Sequence, residues 1–342
     1  MSRTTIADLP FELLERILVL AVDEYLPDSP KALSSRNAFL RDVALVSRQF
    51  RCPGQAVLWS VVRVHAAGTA KRLLSSPVLG MYGTRFLDLA GVHSGVEGLS
   101  GSVAARVLAK LRGIQILRIA DFGRLSARVL QSESLSGLRT LDLMTSFPDK
   151  PGVITALHVP FHLRELRLYN RSYGTTILPV LFHTCAHSLI SLTVLTGPGS
   201  PSYTSLLHAF PVIAPNLVHF SLQHRPSPAL NSMLGHLTRL TNLELNFAVD
   251  LAAALDALPQ KPGLRTLVIE LDFNLAQAAA ILLARLDEPV LANLKTLKIP
   301  RAPEKREFQD FGGQALLDKC DARGVHVEIG QTVAWRTRLF QE

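Results

Sequence analysis

One six-residue pattern recurs down most of this 342-residue chain: an apolar residue, two others, an apolar residue, one other, an apolar residue. Its clearest copies are Leu138–Leu143 and Leu163–Leu168. It returns at Leu189–Val194, Leu217–Leu222, Leu240–Leu245, Leu264–Ile269 and Leu294–Ile299, so successive starts lie 25, 26, 28, 23, 24 and 30 residues apart. Weaker copies stand upstream at Ile114–Ile119 and around Phe86–Leu89, and Val325–Ile329 reads as a closing strand. The last two apolar positions alternate with polar ones, as a half-buried strand requires. Helical patterns fill the intervals at Ser102–Leu111, Thr175–Ala186, Val249–Leu258 and Asn274–Leu286. One strand and one helix cannot hide their apolar faces alone, so neighbouring units must stack. The predicted fold class is therefore α/β, a curved solenoid with about ten parallel strands along one face.

A period in the twenties with this core resembles the leucine-rich repeats. That resemblance implies strands lining a concave surface and helices on the other side. Regular members of the family carry Asn or Cys three residues after the last leucine. Here that place holds Ser146, Arg171, Gly197, Arg225, Ala248, Asp272 and Ala302, so irregular loops are expected. Strand alternation turns the residues between the leucines outward, among them Thr140, Thr193 and Ser221, as solvated groups. Asp142, Glu165, Arg167, Tyr169, His219 and Glu244 are the candidate binders of a protein substrate on this face, tyrosine and arginine being frequent hot spots.

The first sixty residues follow another rule. Leu9-Pro10 opens LPFELLERIL, and proline suits a first helical turn, where its missing N–H has no partner. Phe11, Leu14, Ile17, Leu18 and Ala21 then recur at helical spacing. A second run places Val43, Val46 and Phe50 on one face, breaks at Pro53 and resumes through Ala56 to Trp59. Leu9-Pro10, the apolar Leu13–Leu18, Leu45-Val46-Ser47-Arg48 and Leu58-Trp59, in that order, resemble the F-box. The stretch 23–37, with two prolines and three serines, reads as an inserted loop. Expected domains are an F-box-like helical unit at 1–65, a leucine-rich-repeat domain at 66–330 and a tail at 331–342. Lys71–Ser76 and Phe308–Cys320 are candidate caps on the two ends of the solenoid.

The paired resemblance implies a substrate-recognition subunit of an SCF-type ubiquitin ligase. Its F-box would dock a Skp-type adaptor and, through it, a cullin–RING complex, while the repeats capture a protein substrate. Leu9, Pro10, Leu13, Ile17, Val46 and Trp59 are the candidate adaptor contacts, with Phe11, Leu14 and Leu45 as candidate core. The alternative is a non-degradative leucine-rich-repeat scaffold whose helical segment only caps the solenoid.

Composition narrows the remaining classes. Three widely spaced cysteines among 342 residues fit no disulfide framework and suggest a reducing compartment, hence a cytoplasmic or nuclear setting. No apolar run reaches membrane-spanning length. The net charge of +8 is scattered, with a modest cluster at Lys295, Lys298, Arg301, Lys305 and Arg306, and aromatics are 6%, so a nucleic-acid platform is not expected. His183 and His187, at i and i+4 around Cys185, could share one helical face, but a metal site wants three or four ligands, and they read as corner residues. Gly197-Pro198-Gly199 lacks a phosphate-loop lysine, and no GxSxG elbow occurs. Neither an enzyme nor a cofactor is expected.

Overall fold

The computed structural model describes residues 9–22, 30–91, 98–169, 177–195, 204–223, 228–246, 250–259, 263–270, 275–299, 308–309 and 313–330. Within them one parallel sheet runs in strict chain order through eleven strands. These are β1 (Val61–Val64), β2 (Phe86–Ala90), β3 (Ile116–Ala120), β4 (Thr140–Met144), β5 (Glu165–Tyr169) and β6 (Ser191–Leu195). They continue with β7 (His219–Gln223), β8 (Asn242–Asn246), β9 (Thr266–Glu270), β10 (Thr296–Ile299) and β11 (His326–Ile329). The sheet is open, and the fold is a solenoid of the leucine-rich-repeat type.

Stacking in register is what the recurring leucines accomplish. Leu117, Leu141, Leu166, Leu192, Phe220, Leu243 and Leu267 occupy one continuous row across adjacent strands. Two residues on, Ile119, Leu143, Leu168, Val194, Leu222, Leu245 and Ile269 make a second row. The first leucine of each motif supplies a third, from Ile114 and Leu138 to Leu264 and Leu294, all buried. Each such side chain gains roughly 1.5–3 kcal/mol from leaving water, and only its neighbours can supply that shelter.

Helices close the other side. Helix α4 (Ala67–Leu74) follows β1, α5 (Gly101–Lys110) buries Ala104, Val107 and Leu108, and a short α6 (Pro151–Thr155) buries Ile154. In α7 (Ile177–Cys185) the buried set Ile177, Leu178, Leu181, Phe182 and Cys185 forms a stripe at helical spacing. Phe161, Phe182, Phe210 and Phe220 are among the largest fully buried side chains. At the far end the helix Gln314–Ala322 buries Leu316 and Cys320 against the last strands.

At the N-terminus, α1 (Phe11–Val22), α2 (Pro30–Val46) and α3 (Arg48–Trp59) share a small core of Leu18, Val22, Leu40 and Val57, with α3 between the other two. Several expectations fail here for definite reasons. The stretch read as an inserted loop, 23–37, is helical from Pro30 onward; 23–29 lies outside the described residues. Pro53 does not interrupt the second run. It lies inside α3, and the break comes instead at Ser47, whose Oγ accepts the Phe50 N–H at 3.4 Å and caps that helix. Val61–Val64 leaves the helical unit altogether and becomes the first strand of the sheet, the eleventh in place of ten.

The helical unit is joined to the sheet by residues from the supposed loop. Leu33 packs on Val61, Phe86 and Ile116, which start β1, β2 and β3 on the open face. Arg36 is buried, and its Nη2 donates to the Val57 carbonyl at 2.6 Å and to Ser60 Oγ at 3.2 Å. A cation at the C-terminal end of α3 meets a carbonyl of its last turn and the negative end of the helix dipole. Gly54 brings α3 close to α2, since a Cβ there would lie 3.3 Å from Ala44 Cβ and 3.4 Å from the Leu40 carbonyl.

Leu192 lies in the first buried row and Ile190 is 41% exposed two residues earlier. Leu192→Ala is expected to cost about 3–5 kcal/mol and Ile190→Ala under about 1 kcal/mol, read by urea unfolding; equal costs would contradict the stacked-row account.

Candidate functional site

Two surfaces stand out, one at each end of the chain's organisation. The first is α1. Its period carries two adjacent apolar stripes, and only one is spent on the core: Leu14, Leu18 and Val22 are buried. The second stripe, Leu13, Ile17 and Leu20, is exposed at 48, 37 and 63%. Leu45 and Val46, at the end of α2, are exposed at 84 and 78%. Phe11 and Phe39 also face solvent in part. Most large apolar side chains exposed among the described residues therefore lie in the first 46 positions, a concentration that marks an interaction surface.

The six residues expected to contact an adaptor separate by environment. Pro10, Leu13, Ile17 and Val46 are exposed, whereas Leu9 and Trp59 are half-buried. Of the three expected core residues only Leu14 is buried; Phe11 and Leu45 face solvent, as does Ala21. Helix α1 carries two apolar stripes where one was expected to fill the core, and Leu45 sits at the exposed end of α2.

The second surface is the open face of the sheet. Its middle register row reads Arg63, Asp88, Arg118, Asp142, Arg167, Thr193, Ser221, Glu244, Val268, Lys298 and Glu328 from β1 to β11. Charge alternates strictly across the first five strands. Arg63 Nε lies 3.4 Å from Asp88 Oδ2, Arg167 Nε 3.7 Å from Asp142 Oδ1, and Lys298 Nζ 2.6 Å from Glu328 Oε2. His65 Nε2 also approaches Asp88 Oδ2 at 3.1 Å. Opposite charges on neighbouring strands attract while like charges repel, so the row neutralises itself.

This packing corrects the expectation of solvated strand residues. Thr140, Asp142, Arg167, Thr193 and Ser221 are all buried, because strands ~4.8 Å apart press their outward side chains together. Asp142 has the least favourable environment among them. Arg167 turns both Nε and Nη2 to Glu165 Oε1, at 2.8 and 2.6 Å, leaving Asp142 Oδ1 without a hydrogen bond. Burial pushes the Asp142 carboxyl up to about 6; Arg167 and Arg118 oppose this, while Glu165 and Asp88 add to it. Burial also works against the Arg167 cation, but Asp142 and Glu165 outweigh it and hold its pKa above the usual arginine value.

A groove of about 400 Å³ runs over this face from β2 to β10. Glu165, Arg167, His219 and Glu244 of the expected binders line it. Asp142 does not, being sunk in the ladder, and Tyr169, half-buried at the end of β5, lies outside it. Residues outside the expected set line its rim: Arg85, Arg139 and Arg164, all exposed. Their signal was present as the second position of the repeat, Leu138-Arg139 and Leu163-Arg164, recurring as Leu264-Arg265 and Leu294-Lys295.

Cys185 is buried and accepts the Leu163 N–H at 3.3 Å, and burial raises its thiol pKa; His183 and His187 face solvent. Among the described residues no group of three His, Cys, Asp or Glu side chains is placed to hold a metal ion. No helix among them is long and apolar enough to cross a membrane. Arg171, Gly197-Pro198-Gly199, Arg225, Ala248, Asp272, Arg301, Ala302, Lys305, Arg306 and the tail 331–342 lie outside the described residues.

No family model matches the chain, and no curated protein matches it. Among solved structures it is similar to one titled as the crystal structure of the Rad7 and Elc1 complex in yeast. The TM-score is 0.36 at 13% identity, over 84% of this chain and 75% of that one. A likeness this distant decides nothing about function.

Asp142 generates a pH signature. Its pKa of about 6 exceeds the ordinary unfolded value near 3.9, so the folded state binds the extra proton. Its contribution to stability therefore falls as pH rises from about 4 to 6, and the cost, on the order of 3 kcal/mol, is complete above 6. Asp142→Asn is expected to remove that component and to raise stability at pH 7 by about 1–3 kcal/mol, because Arg167 keeps Glu165. Urea unfolding from pH 4 to 7 reads it; an unchanged pH slope contradicts the assignment.

Proposed function

We propose that this chain is a non-catalytic substrate-recognition subunit of an SCF-type ubiquitin ligase. Its F-box-like helices dock a Skp-type adaptor, and its repeats hold a protein substrate. The observation that carries the reading is the unspent apolar stripe of α1, Leu13, Ile17 and Leu20, together with Leu45 and Val46. Leu13, Ile17, Leu45 and Val46 lie in segments where the sequence resembles the F-box, and they are exposed rather than consumed by the fold. At the other end the open face offers a groove lined by charged and polar side chains, suited to a protein surface. Such a chain acts by proximity: holding a substrate lysine near a loaded conjugating enzyme raises its effective concentration.

A second reading has its own observation. Leu33 and Arg36 fasten the helices onto β1–β3 and α3, so the unit also caps the solenoid. A non-degradative binding scaffold would need nothing more.

Pull-down with a purified Skp-type adaptor separates the two. The wild type is expected to bind, and Leu13→Ala with Ile17→Ala to weaken binding at least about tenfold, since two buried aliphatic anchors contribute a few kcal/mol. Tyr169→Ala should bind as the wild type does. Failure of the wild type to bind would remove the ligase reading and leave the scaffold.

A further inference from the structure

Across the sheet, the register row just before each strand has a composition unlike the ladder beside it. It reads Ser60, Arg85, Gln115, Arg139, Arg164, Ile190, Val218, Thr241, Arg265, Lys295 and Val325, with five cations and no acid. Backbone bonds fix its alignment: the N–H groups of Arg164 and Ile190 donate to the carbonyls of Arg139 and Arg164 at 2.8 and 2.9 Å. Arg85, Arg139, Arg164, Arg265 and Lys295 are exposed, and none makes an ion pair among the described residues. The ladder row offers carboxylates to its own cations one strand away. The rim row offers its cations nothing.

From this we infer that the rim formed by Arg85, Arg139 and Arg164 is a docking site for an acidic, extended protein segment rich in Asp or Glu, with Ile190 taking an apolar side chain next to it. This rests on the substrate-receptor reading and names the chemistry of the segment held. The geometry sets its length. Arg85 to Arg164 spans three strand steps, about 14 Å, which an extended chain at ~3.3 Å per residue crosses in about four residues. Ile190 is one step further and 41% exposed, so it is available to a hydrophobic neighbour of the acidic residues.

Charge complementarity favours a protein segment over a nucleic acid. The cations form a single row rather than a broad field. Immediately inside it lie Glu165 and, further along, Glu244, both lining the groove. A polymer with a phosphate on every unit would meet those carboxylates as soon as it left the row. Carboxylates carried on alternate residues of a peptide can face the rim while the residues between them face the groove.

The test uses fluorescence anisotropy on the full chain with four labelled probes. They are a decapeptide with glutamates at three alternate positions followed by leucine, the same peptide with glutamines, the same with one phosphoserine replacing the glutamates, and a ten-nucleotide single-stranded DNA. The glutamate peptide is expected to bind best and to weaken as salt rises. Arg139→Glu with Arg164→Glu should weaken it at least about tenfold. The same charge change on exposed residues elsewhere, Arg106→Glu with Arg128→Glu, should leave it within about threefold. Equal binding of the glutamine peptide, equal loss in the control pair, preference for phosphoserine, or preference for DNA would each overturn the proposal. Adaptor pull-down and peptide binding measured together on the wild type keep the two readings apart. Retained adaptor binding with no glutamate-peptide binding sinks only the rim. Glutamate-peptide binding without adaptor binding sinks only the ligase reading.

Discussion

A strand that carries apolar side chains at alternate positions can hide them only against the same positions of another strand and the helices behind it. In this chain that constraint is met eleven times in succession, with each strand aligned on the last. The consequence is a molecule whose interior is a set of continuous apolar rows and whose open face is a set of aligned, largely polar ones. Nothing on that face is independent of register. The alternating ladder from Arg63 to Arg167 exists because one residue between two leucines recurs in line, and the basic rim exists because another does.

The two ends of the molecule are coupled through a small number of contacts. Leu33 covers the apolar starts of β1–β3, which explains why the open face is apolar there and polar from Thr140 onward. Arg36 closes the carbonyl end of α3 at the point where the chain enters β1. Together they make the helical unit a continuation of the solenoid rather than an appendage. Whatever α1 holds is then placed at a fixed offset from whatever the groove holds. Under the proposed function, in which two partners are brought together, a fixed offset is the useful property.

Much of the repeat architecture could be read from the sequence, because a period of two within a period in the twenties has few physical solutions. The strands from Phe86 onward, the closing strand near Val325 and the helices around 101–110, 177–185, 251–257 and 275–285 follow from it. β1 escaped notice because VVRV has no leading leucine motif and lies in a stretch already assigned to helices. The helix from Pro30 escaped because prolines and serines suggested a loop, whereas its Leu33 and Arg36 are held by tertiary contacts that local propensity does not record. For the site, single-repeat reading picked out Glu165, Arg167, His219 and Glu244 but missed Arg85, Arg139 and Arg164. Those belong to a row that emerges only when repeats are aligned on one another, and Asp142 looked solvated because lateral packing between strands has no trace in one strand's pattern.

The central claim is that the apolar stripe of α1 and the open face of the sheet are separate surfaces serving separate partners. Hydrogen exchange with and without a purified Skp-type adaptor tests it most directly. Slowed exchange confined to the helical unit, in residues 11–22 and around 41–50, with β4–β9 unchanged, is the predicted footprint. Protection spread over β4–β9, or none in α1, would contradict it.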